Sequence, residues 1–217
     1  MPPSAIEKFR KHYQQTVVPR YYSGVVHALY TLVLLGGAMT YHALKIHDLS
    51  WKESLAFPII FLISNWIEYM VHRYNLHRQV PGFKMLYKIH SGQHHQYFTD
   101  QAIAFESPRD FMMILFPPWA SIFVVVASTA LGYFVIGPIF SPNVGHILGI
   151  MAAVALLLYE AMHCYYHLDD SNSWTRFPGL SALRRHHIVH HNLRLMTKCN
   201  FNVTFPIFDM VYRTRQR

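Results

Sequence analysis

Long apolar segments dominate the chain and are separated by short polar ones. The pattern predicts four helices, at about residues 21–44, 55–71, 119–135 and 144–162. No Asp, Glu, Lys or Arg occurs anywhere in residues 21–44 or in residues 111–159. A helix that crosses a bilayer needs about 20 predominantly apolar residues. The sequence therefore predicts an all-α protein that crosses a membrane four times.

Proline and glycine mark the ends of these predicted helices. Pro58 falls in the first turn of the second helix, where a missing N–H is tolerated. Pro117 and Pro118 separate an approach segment from the third helix. The turn before the fourth is expected at Gly137 and Pro138 together with residues 141–143. The last apolar stretch, residues 201–212, is too short to cross and is expected to pack against the polar domain or the interface.

Basic residues lie almost entirely on one side of this predicted topology. With four crossings, the amino terminus and the segments 72–110 and 163–217 share a side, which holds all of the 19 Lys and Arg residues except Lys45 and Lys52. Cytoplasmic loops carry the excess of Lys and Arg in membrane proteins. We therefore expect both termini and both segments in the cytoplasm, at a bacterial inner membrane or the endoplasmic reticulum.

The composition agrees with a single membrane-embedded domain, residues 1–217, and excludes other classes. A chain that is 52% hydrophobic and 14% charged is too apolar for a soluble protein of this size. The net charge of +8 is spread over loops beside apolar segments, so nucleic acid is not a predicted partner, whereas membrane lipids are. Two cysteines, Cys164 and Cys199, are too few for a disulfide framework and indicate thiols in a reducing compartment.

Histidines are concentrated in four short boxes. These hold eleven of the 16 histidines: His72 and His77; His90, His94 and His95; His163 and His167; and His186, His187, His190 and His191. Burying so many unpaired imidazoles is costly and protonating them is repulsive, so a bound cation explains the set better than separate structural roles. The remaining histidines are expected to be structural or interfacial: His12, His27, His42, His47 and His146.

Helical spacing predicts which histidines of a box lie close together and which carboxylates lie close to a box. His187, His190 and His191 stand at i, i+3 and i+4, so we expect them to face one shared ion. Glu68 and Glu160 lie one helical turn before a box. Each is expected to accept the far ring N–H of a box histidine and so to orient the ring. The alternative is a carboxylate that has merely reached interfacial water.

The order HxxxxH, HxxxHH, HxxxH, HHxxHH on a four-span chain resembles the fatty acid hydroxylase and sterol desaturase superfamily. Residues 159–167 (YEAMHCYYH), 183–191 (LRRHHIVHH) and 205–214 (FPIFDMVYRT) are most similar to its fatty acid 2-hydroxylase branch. The second box departs from that branch in having three residues before its histidine pair. The resemblance covers about residues 60–214 and leaves His186 outside the ligand set.

That resemblance implies a membrane di-iron oxygenase that uses O2. Ten ligands transfer to this chain: His72, His77, His90, His94, His95, His163, His167, His187, His190 and His191. We expect no cytochrome b5 domain fused to this sequence and therefore expect electrons from a separate donor of the cytochrome b5 or ferredoxin type. Imidazole also binds zinc and copper, so zinc in purified material stays open.

The predicted reaction is hydroxylation of a lipid, a fatty acyl chain oxidised near its carboxyl or amide end. Arg184, Arg185 and Lys88 are candidate headgroup contacts. A sterol or carotenoid hydroxylase or desaturase is the alternative within the superfamily. A membrane zinc hydrolase or metal carrier is the alternative from another class, but the boxes contain no His-Glu-x-x-His and no ligand lies in mid-span.

Overall fold

The computed structural model describes residues 3–216 and divides the chain into two compact units. The histidine unit takes in the chain up to Val25, Trp66–Leu115 and the chain from Ala161 onward. The span unit takes in Val26–Asn65 and Phe116–Glu160.

Helices supply almost all of the regular structure in residues 3–216. In chain order they are α1 (Pro3–Thr16), α2 (Gly24–Ala43), α3 (Trp51–Ser54), α4 (Ala56–Met70), α5 (Lys84–Ile89), α6 (His95–Tyr97), α7 (Phe111–Ile114), α8 (Pro118–Leu131), α9 (Gly137–Ile139), α10 (Pro142–Tyr166), α11 (Leu180–His190) and α12 (Ile207–Val211). Three π-helical turns join or extend them, at Val71–Leu76, His90–His94 and Gly132–Ile136, and two 3₁₀ turns lie at Pro108–Asp110 and Ser173–Arg176.

Four helical stretches have the length and composition to cross a membrane. They are Gly24–Ala43, Trp51–Leu76, Pro118–Ile139 and Pro142–Tyr166, which confirms the four predicted spans with shifted ends. Many of their apolar side chains lie on the outside, as in Val33 at 74% and Phe134 at 73% exposure. Apolar side chains displayed along uncharged helices of this length suit lipid rather than water. The architecture is therefore that of an integral membrane protein.

The predicted turn at Gly137 and Pro138 is wrong. Both residues belong to α9, which continues the third span directly after the π-helical turn Gly132–Ile136. Pro138 occupies one of the first positions of α9, where its missing N–H is tolerated. The chain turns instead at residues 140–141, before α10 begins.

Within the span unit, small residues bring two helices close together. A Cβ atom at Gly132 would lie 2.4 Å from the carbonyl oxygen of Gly145, and one at Gly145 would lie 2.3 Å from that of Gly132. Close approach through small residues is a common way to pack helices in lipid, where burial from water provides no driving force. Larger apolar residues fill the rest of the contact in two clusters, one around Leu35 and Ala153 and one around Ile60 and Ile147.

Within the histidine unit, α1 packs against the segment that follows the second box. Its Tyr13 joins a buried cluster with Tyr97, Phe98, Ile103 and Met113. The basic lead-in of the sequence is therefore part of the core of this unit.

Candidate metal centre

All ten histidines proposed as ligands converge in the histidine unit, and they form two groups of five. We name them the first group (His72, His77, His90, His95 and His190) and the second group (His94, His163, His167, His187 and His191). Within each group the candidate ligand atoms lie within 4.8 Å of one another, and every member is buried. Each group therefore has the donor atoms to hold one metal ion.

Local helix geometry explains which histidines share a group. In the first group, His72 lies in one π-helical turn that His77 directly follows, and His90 begins another that His95 directly follows. The two histidines of each pair are five residues apart. In a π-helix, residues five apart lie one turn apart, so both rings of a pair face the same way. The second group uses ordinary α-helical spacing of four residues, in His163 with His167 and in His187 with His191. One single histidine completes each group, His190 in the first and His94 in the second.

The far ring nitrogens fix the protonation of the rings. Six Nδ1 atoms hydrogen-bond to backbone carbonyl oxygens, which only accept, so each of these Nδ1 atoms carries the ring proton. The pairs are His72 with Phe201, His94 with Met113 (2.7 Å), His163 with Ile114 (2.9 Å), His167 with Ile103 (2.7 Å), His190 with Cys199 (2.9 Å) and His191 with Phe98 (2.7 Å). The Nε2 atom of each neutral ring is then a bare lone pair.

These lone pairs point at one another at the spacing that a shared metal ion requires. The Nε2 atom of His94 lies 3.2 Å from those of both His163 and His191, although all three rings carry their proton on Nδ1. Two lone pairs at this distance repel unless a cation lies between them. Two imidazole nitrogens bound at about 2.0–2.1 Å to one ion are about 3.0–3.4 Å apart. The second group therefore fits a metal ion.

The first group has the same spacing. The Nε2 atom of His72 lies 2.8 Å from that of His90, and the Nε2 atom of His77 lies 3.0 Å from that of His190. In this group the Nδ1 atom of His77 is 2.9 Å from the Ser91 hydroxyl, which itself donates to the Leu76 carbonyl at 2.7 Å. Ser91 Oγ is therefore left as an acceptor for the His77 Nδ1–H, which leaves the His77 Nε2 lone pair facing the group.

Burial keeps these imidazoles neutral. Removal from water lowers the pKa of His94 and of His190 to about 4. It also lowers the pKa of His90, His95 and His187 well below the ordinary value, and neighbouring imidazoles lower it further. Only the neutral ring offers a lone pair to a metal, so at neutral pH the groups are ready to bind a cation.

Two segments supply the orienting carbonyls, and sequence reasoning missed both. Phe98 and Ile103 lie in irregular backbone between the second box and α7, whereas Met113 and Ile114 end α7, where helix carbonyls have no N–H partner within the helix. Cys199 and Phe201 flank Asn200, which has a positive φ of 59°. Backbone carbonyls do not depend on residue type, so the sequence carries no direct signal for them.

The carboxylates Glu68 and Glu160 do not bind box histidines, which corrects the expected direct contact. Glu68 accepts from the backbone N–H groups of Val203 and Thr204 and, at 2.5 Å, from the Thr204 hydroxyl. Glu160 accepts from the backbone N–H of Phe116 at 2.9 Å. Carbonyls satisfy the ring N–H groups without bringing a net negative charge to the site. Glu68 therefore holds the loop that contains Phe201, and the Phe201 carbonyl in turn accepts a hydrogen bond from His72.

The expectation that His187, His190 and His191 share one ion is also wrong. Residues at i and i+4 stay on one face of α11, whereas the i+3 side chain of His190 is displaced around the axis and joins the first group. His186 lies outside both groups and pairs with Asp209 at 3.2 Å. Neither group includes any of the five isolated histidines that are described; His42, for example, contacts His146 and Thr129 at 3.0 Å each.

The candidate headgroup contacts divide into buried and exposed residues. Arg184 is buried, pairs with Asp170 at 2.7 Å and donates to the Leu168 carbonyl, so the expectation that it meets a headgroup is wrong. Arg185 and Lys88 are exposed.

Arg10 holds the segment that orients part of the second group. Its guanidinium is 9% exposed and donates to the carbonyls of Tyr97 at 2.8 Å and Ala102 at 2.5 Å, and it pairs with Glu106 at 2.8 Å. These contacts bracket the stretch from which Phe98 orients His191. Arg10 therefore fixes the shape of this stretch from a position far away in sequence.

The stretch at residues 201–212 lies against the first group, as expected. The Phe201 ring is fully buried with its centroid about 6 Å from those of His72, His77 and His190. Buried Asp209 accepts from the backbone N–H groups of Phe201 at 2.9 Å and Asn202 at 2.7 Å. Burial alone would raise the pKa of Asp209, but the hydrogen bonds from His186, the backbone and Thr214 lower it below its ordinary value.

Comparison with known proteins assigns the chain that carries this centre to a family. A family model described as fatty acid hydroxylase matches residues 57–214, which contain all ten histidines of the two groups. The chain belongs to the fatty acid hydroxylase family. The resemblance read from the boxes is thereby confirmed.

Curated relatives in the fatty acid hydroxylase family are distant. Fatty acid 2-hydroxylase from Homo sapiens is 26% identical over 168 residues, which cover 73% of this chain and 40% of the relative. A dihydroceramide fatty acyl 2-hydroxylase from Arabidopsis thaliana is 25% identical over 178 residues, 77% of this chain and 66% of the relative. This chain therefore spans less than half the length of the human relative.

The same fold occurs in a solved structure. The hydroxylase domain visible in a structure of full-length scs7p matches with a TM-score of 0.57 at 17% identity, covering 89% of this chain and 65% of that one. At this identity the match shows a shared fold and no more.

Proposed function

We propose that this protein is a membrane oxygenase that hydroxylates a lipid, with a fatty acyl chain as substrate. One oxygen atom of O2 enters a C–H bond and becomes a hydroxyl group, and the other leaves as water. The balance requires two electrons and two protons for each turnover. The human and Arabidopsis relatives are named as 2-hydroxylases, which supports hydroxylation at the carbon next to the carboxyl or amide end.

The observation that carries this proposal is the pair of five-histidine groups with their lone pairs turned inward. We assign one metal ion to each group, with all ten histidines as ligands. Uncharged ligands leave the positive charge of two cations largely uncompensated, so the site retains a strong Lewis-acid character. Such a site differs from a structural zinc site, which is commonly closed by thiolates.

Iron is the metal that we propose. Two bound irons would supply the activation of O2 and the removal of hydrogen from an unactivated C–H bond. The chain's own contribution is to hold neutral imidazoles in place through the six carbonyl contacts and Ser91, and to exclude water from the buried groups.

Electrons are proposed to come from a separate carrier protein of the cytochrome b5 or ferredoxin type. The distribution of Lys and Arg supports a cytoplasmic location for the histidine boxes and both termini. Since the family match runs from residue 57 to residue 214, through stretches of both units, we propose that residues 1–217 form one functional domain.

Product analysis tests the proposal. Purified protein is reconstituted with iron in lipid and incubated with O2, a reductant and, in separate reactions, a ceramide, a free fatty acid, a sterol and a carotenoid. We expect mass spectrometry to locate one added oxygen atom on the acyl chain, next to the carbonyl. Oxygen found only on the sterol or the carotenoid would refute an acyl substrate, and no O2-dependent product from any of them would refute the oxygenase.

A further inference from the structure

A basic cavity lies on the side of α11 that is turned away from the metal ligands. Its volume is about 390 Å³. Its walls include Arg185, His186 and Val189 from α11, and Arg215 and Gln216 from the end of the chain. The same helix directs His187, His190 and His191 into the two groups. Because a helix with its side chains is about 10–12 Å across, an occupant of the cavity would lie one helix diameter from the metal centre.

The charge of this cavity is uncompensated. The ion pairs among residues 3–216 join Arg10 with Glu106, Arg184 with Asp170, and His186 with Asp209, and none includes the exposed Arg185 or Arg215. Among the described residues, no Asp or Glu lines the cavity. A second opening of this unit is lined by Asp100, Glu106, Asp169 and Asp170 as well as by two paired arginines, so it has the opposite sign.

Hydrogen bonds connect the wall of the basic cavity to the first group. His186 Nε2 lies 3.2 Å from Asp209 Oδ2, and Asp209 Oδ1 accepts from the Phe201 N–H at 2.9 Å. The Phe201 carbonyl in turn accepts from His72 Nδ1. Asn200, next to Phe201 in the chain, adds a second connection to α11 by donating a hydrogen bond to the His186 carbonyl at 2.9 Å. A continuous bonded path therefore runs from the cavity wall to a proposed ligand.

We propose that this cavity is the docking surface for an acidic one-electron carrier protein that reduces the metal centre. This inference rests on the proposed function. A carboxylate-bearing surface complements Arg185 and Arg215, and opposite charges accelerate encounter between redox partners. Each docking event oxidises the carrier by one electron and reduces the centre by one electron, so two events serve one turnover.

An anionic membrane surface is the other class of occupant for exposed arginines. The protein carrier is favoured because the site is concave, whereas headgroups meet a flat surface. The exposed apolar residues of the nearby segment, Met210, Val211 and Tyr212, are also absent from its walls.

Charge reversal tests the docking surface. The full-length, iron-loaded protein in detergent carries Arg185→Glu together with Arg215→Glu, and the matched control carries Lys84→Glu, an exposed cation elsewhere in the histidine unit. The probes are a soluble cytochrome b5 domain and a plant-type [2Fe–2S] ferredoxin. We expect the double variant to weaken the Kd of the preferred probe at least 10-fold and to reduce its salt dependence, while the control changes it less than 2-fold. Metal content and reduction by dithionite are expected to stay at the wild-type values.

Three results would overturn the proposal. They are an unchanged Kd in the double variant, an equal loss in the Lys84→Glu control, and no binding of either probe to the wild type. Reduced binding to vesicles of anionic phospholipid, with carrier binding intact, would assign the arginines to the membrane and would also overturn it. Failure of the proposed function is a separate result, namely no hydroxylated lipid from wild-type protein with a chemical reductant.

Discussion

The two groups contain five histidines each, but different backbone geometry brings the histidines of each group together. The two pairs of the first group span π-helical turns and are five residues apart, whereas the two pairs of the second group are four residues apart at the ends of α10 and α11. Consecutive residues project about 100° apart around a helix, so the neighbours His94 and His95, and His190 and His191, belong to different groups. The boxes are therefore shared between the groups, and the second and fourth boxes each contribute to both.

The two groups also differ in the residues that support their orienting contacts. The second group depends in part on the Phe98 carbonyl in the stretch that Arg10 fixes, while the first depends on Ser91 and on the loop that Glu68 and Asp209 fix. This difference predicts that damage to one support affects one metal ion before the other.

Removing one ligand from each group should have the largest effect. We expect His187→Ala and His190→Ala each to reduce turnover by more than about 100-fold, because a lost ligand should exceed the 10- to 100-fold cost of a lost supporting contact. After dialysis against a weak chelator, each variant should retain about one ion, and the double variant none. Retention of both ions in either single variant would contradict the division into groups.

Ser91→Ala should weaken the first group through His77. The hydroxyl is the partner of the His77 Nδ1, so its loss leaves that ring free to rotate. We expect metal affinity at the first group to fall by about 10-fold or more. Competition with a metallochromic chelator measures the effect, and Ser181→Ala on α11 is the control. A loss confined to the second group would be inconsistent with the assignment.

Arg10→Gln should act on the second group in a similar way but more weakly, by about 3- to 10-fold in metal affinity, because the segment 97–102 keeps its other contacts. Glu106→Gln is the matched control, since it removes the negative charge of the exposed partner and leaves the guanidinium on both carbonyls. Rescue of metal binding by Arg10→Lys would fit a simple charge role instead. Because the two groups have separate supports, the effects of Ser91→Ala and Arg10→Gln should be close to additive.

Glu68→Gln should have the smallest effect. The amide keeps one acceptor oxygen for the loop at Val203 and Thr204 but loses the charge, so we expect a few-fold faster loss of metal from the first group. Glu160→Gln, whose carboxylate meets Phe116 instead, is the comparison and should leave that rate unchanged. Equal rates of metal loss in both variants and in the wild type would indicate that Glu68 is only an interfacial carboxylate.

The sequence was sufficient to predict the four spans and the convergence of the histidine boxes, because long uncharged segments and clustered imidazoles each have few physical explanations. The selection of ten ligands from the eleven box histidines came from the family resemblance. The sequence did not predict the division into groups. The spacing between His72 and His77 suits a π-helical turn, but the periodicity of the preceding apolar residues is α-helical, so the change of pitch is not visible.

The backbone contacts that orient the histidine rings could not be predicted from the sequence, for a different reason. The partners of the rings are carbonyls such as those of Phe98 and Phe201, which any residue provides, and their positions depend on distant contacts such as Arg10 with Tyr97. Helical spacing predicted a contact between Glu68 and His72 but could not show that a loop more than a hundred residues later would take the hydrogen bonds of Glu68.

Anomalous X-ray scattering at the iron absorption edge, from crystals of the iron-loaded protein, tests the central claim most directly. We expect two peaks per chain, one among the Nε2 atoms of His72, His77, His90, His95 and His190 and the other among those of His94, His163, His167, His187 and His191. A single peak shared by both groups, or peaks away from these ten nitrogen atoms, would contradict it.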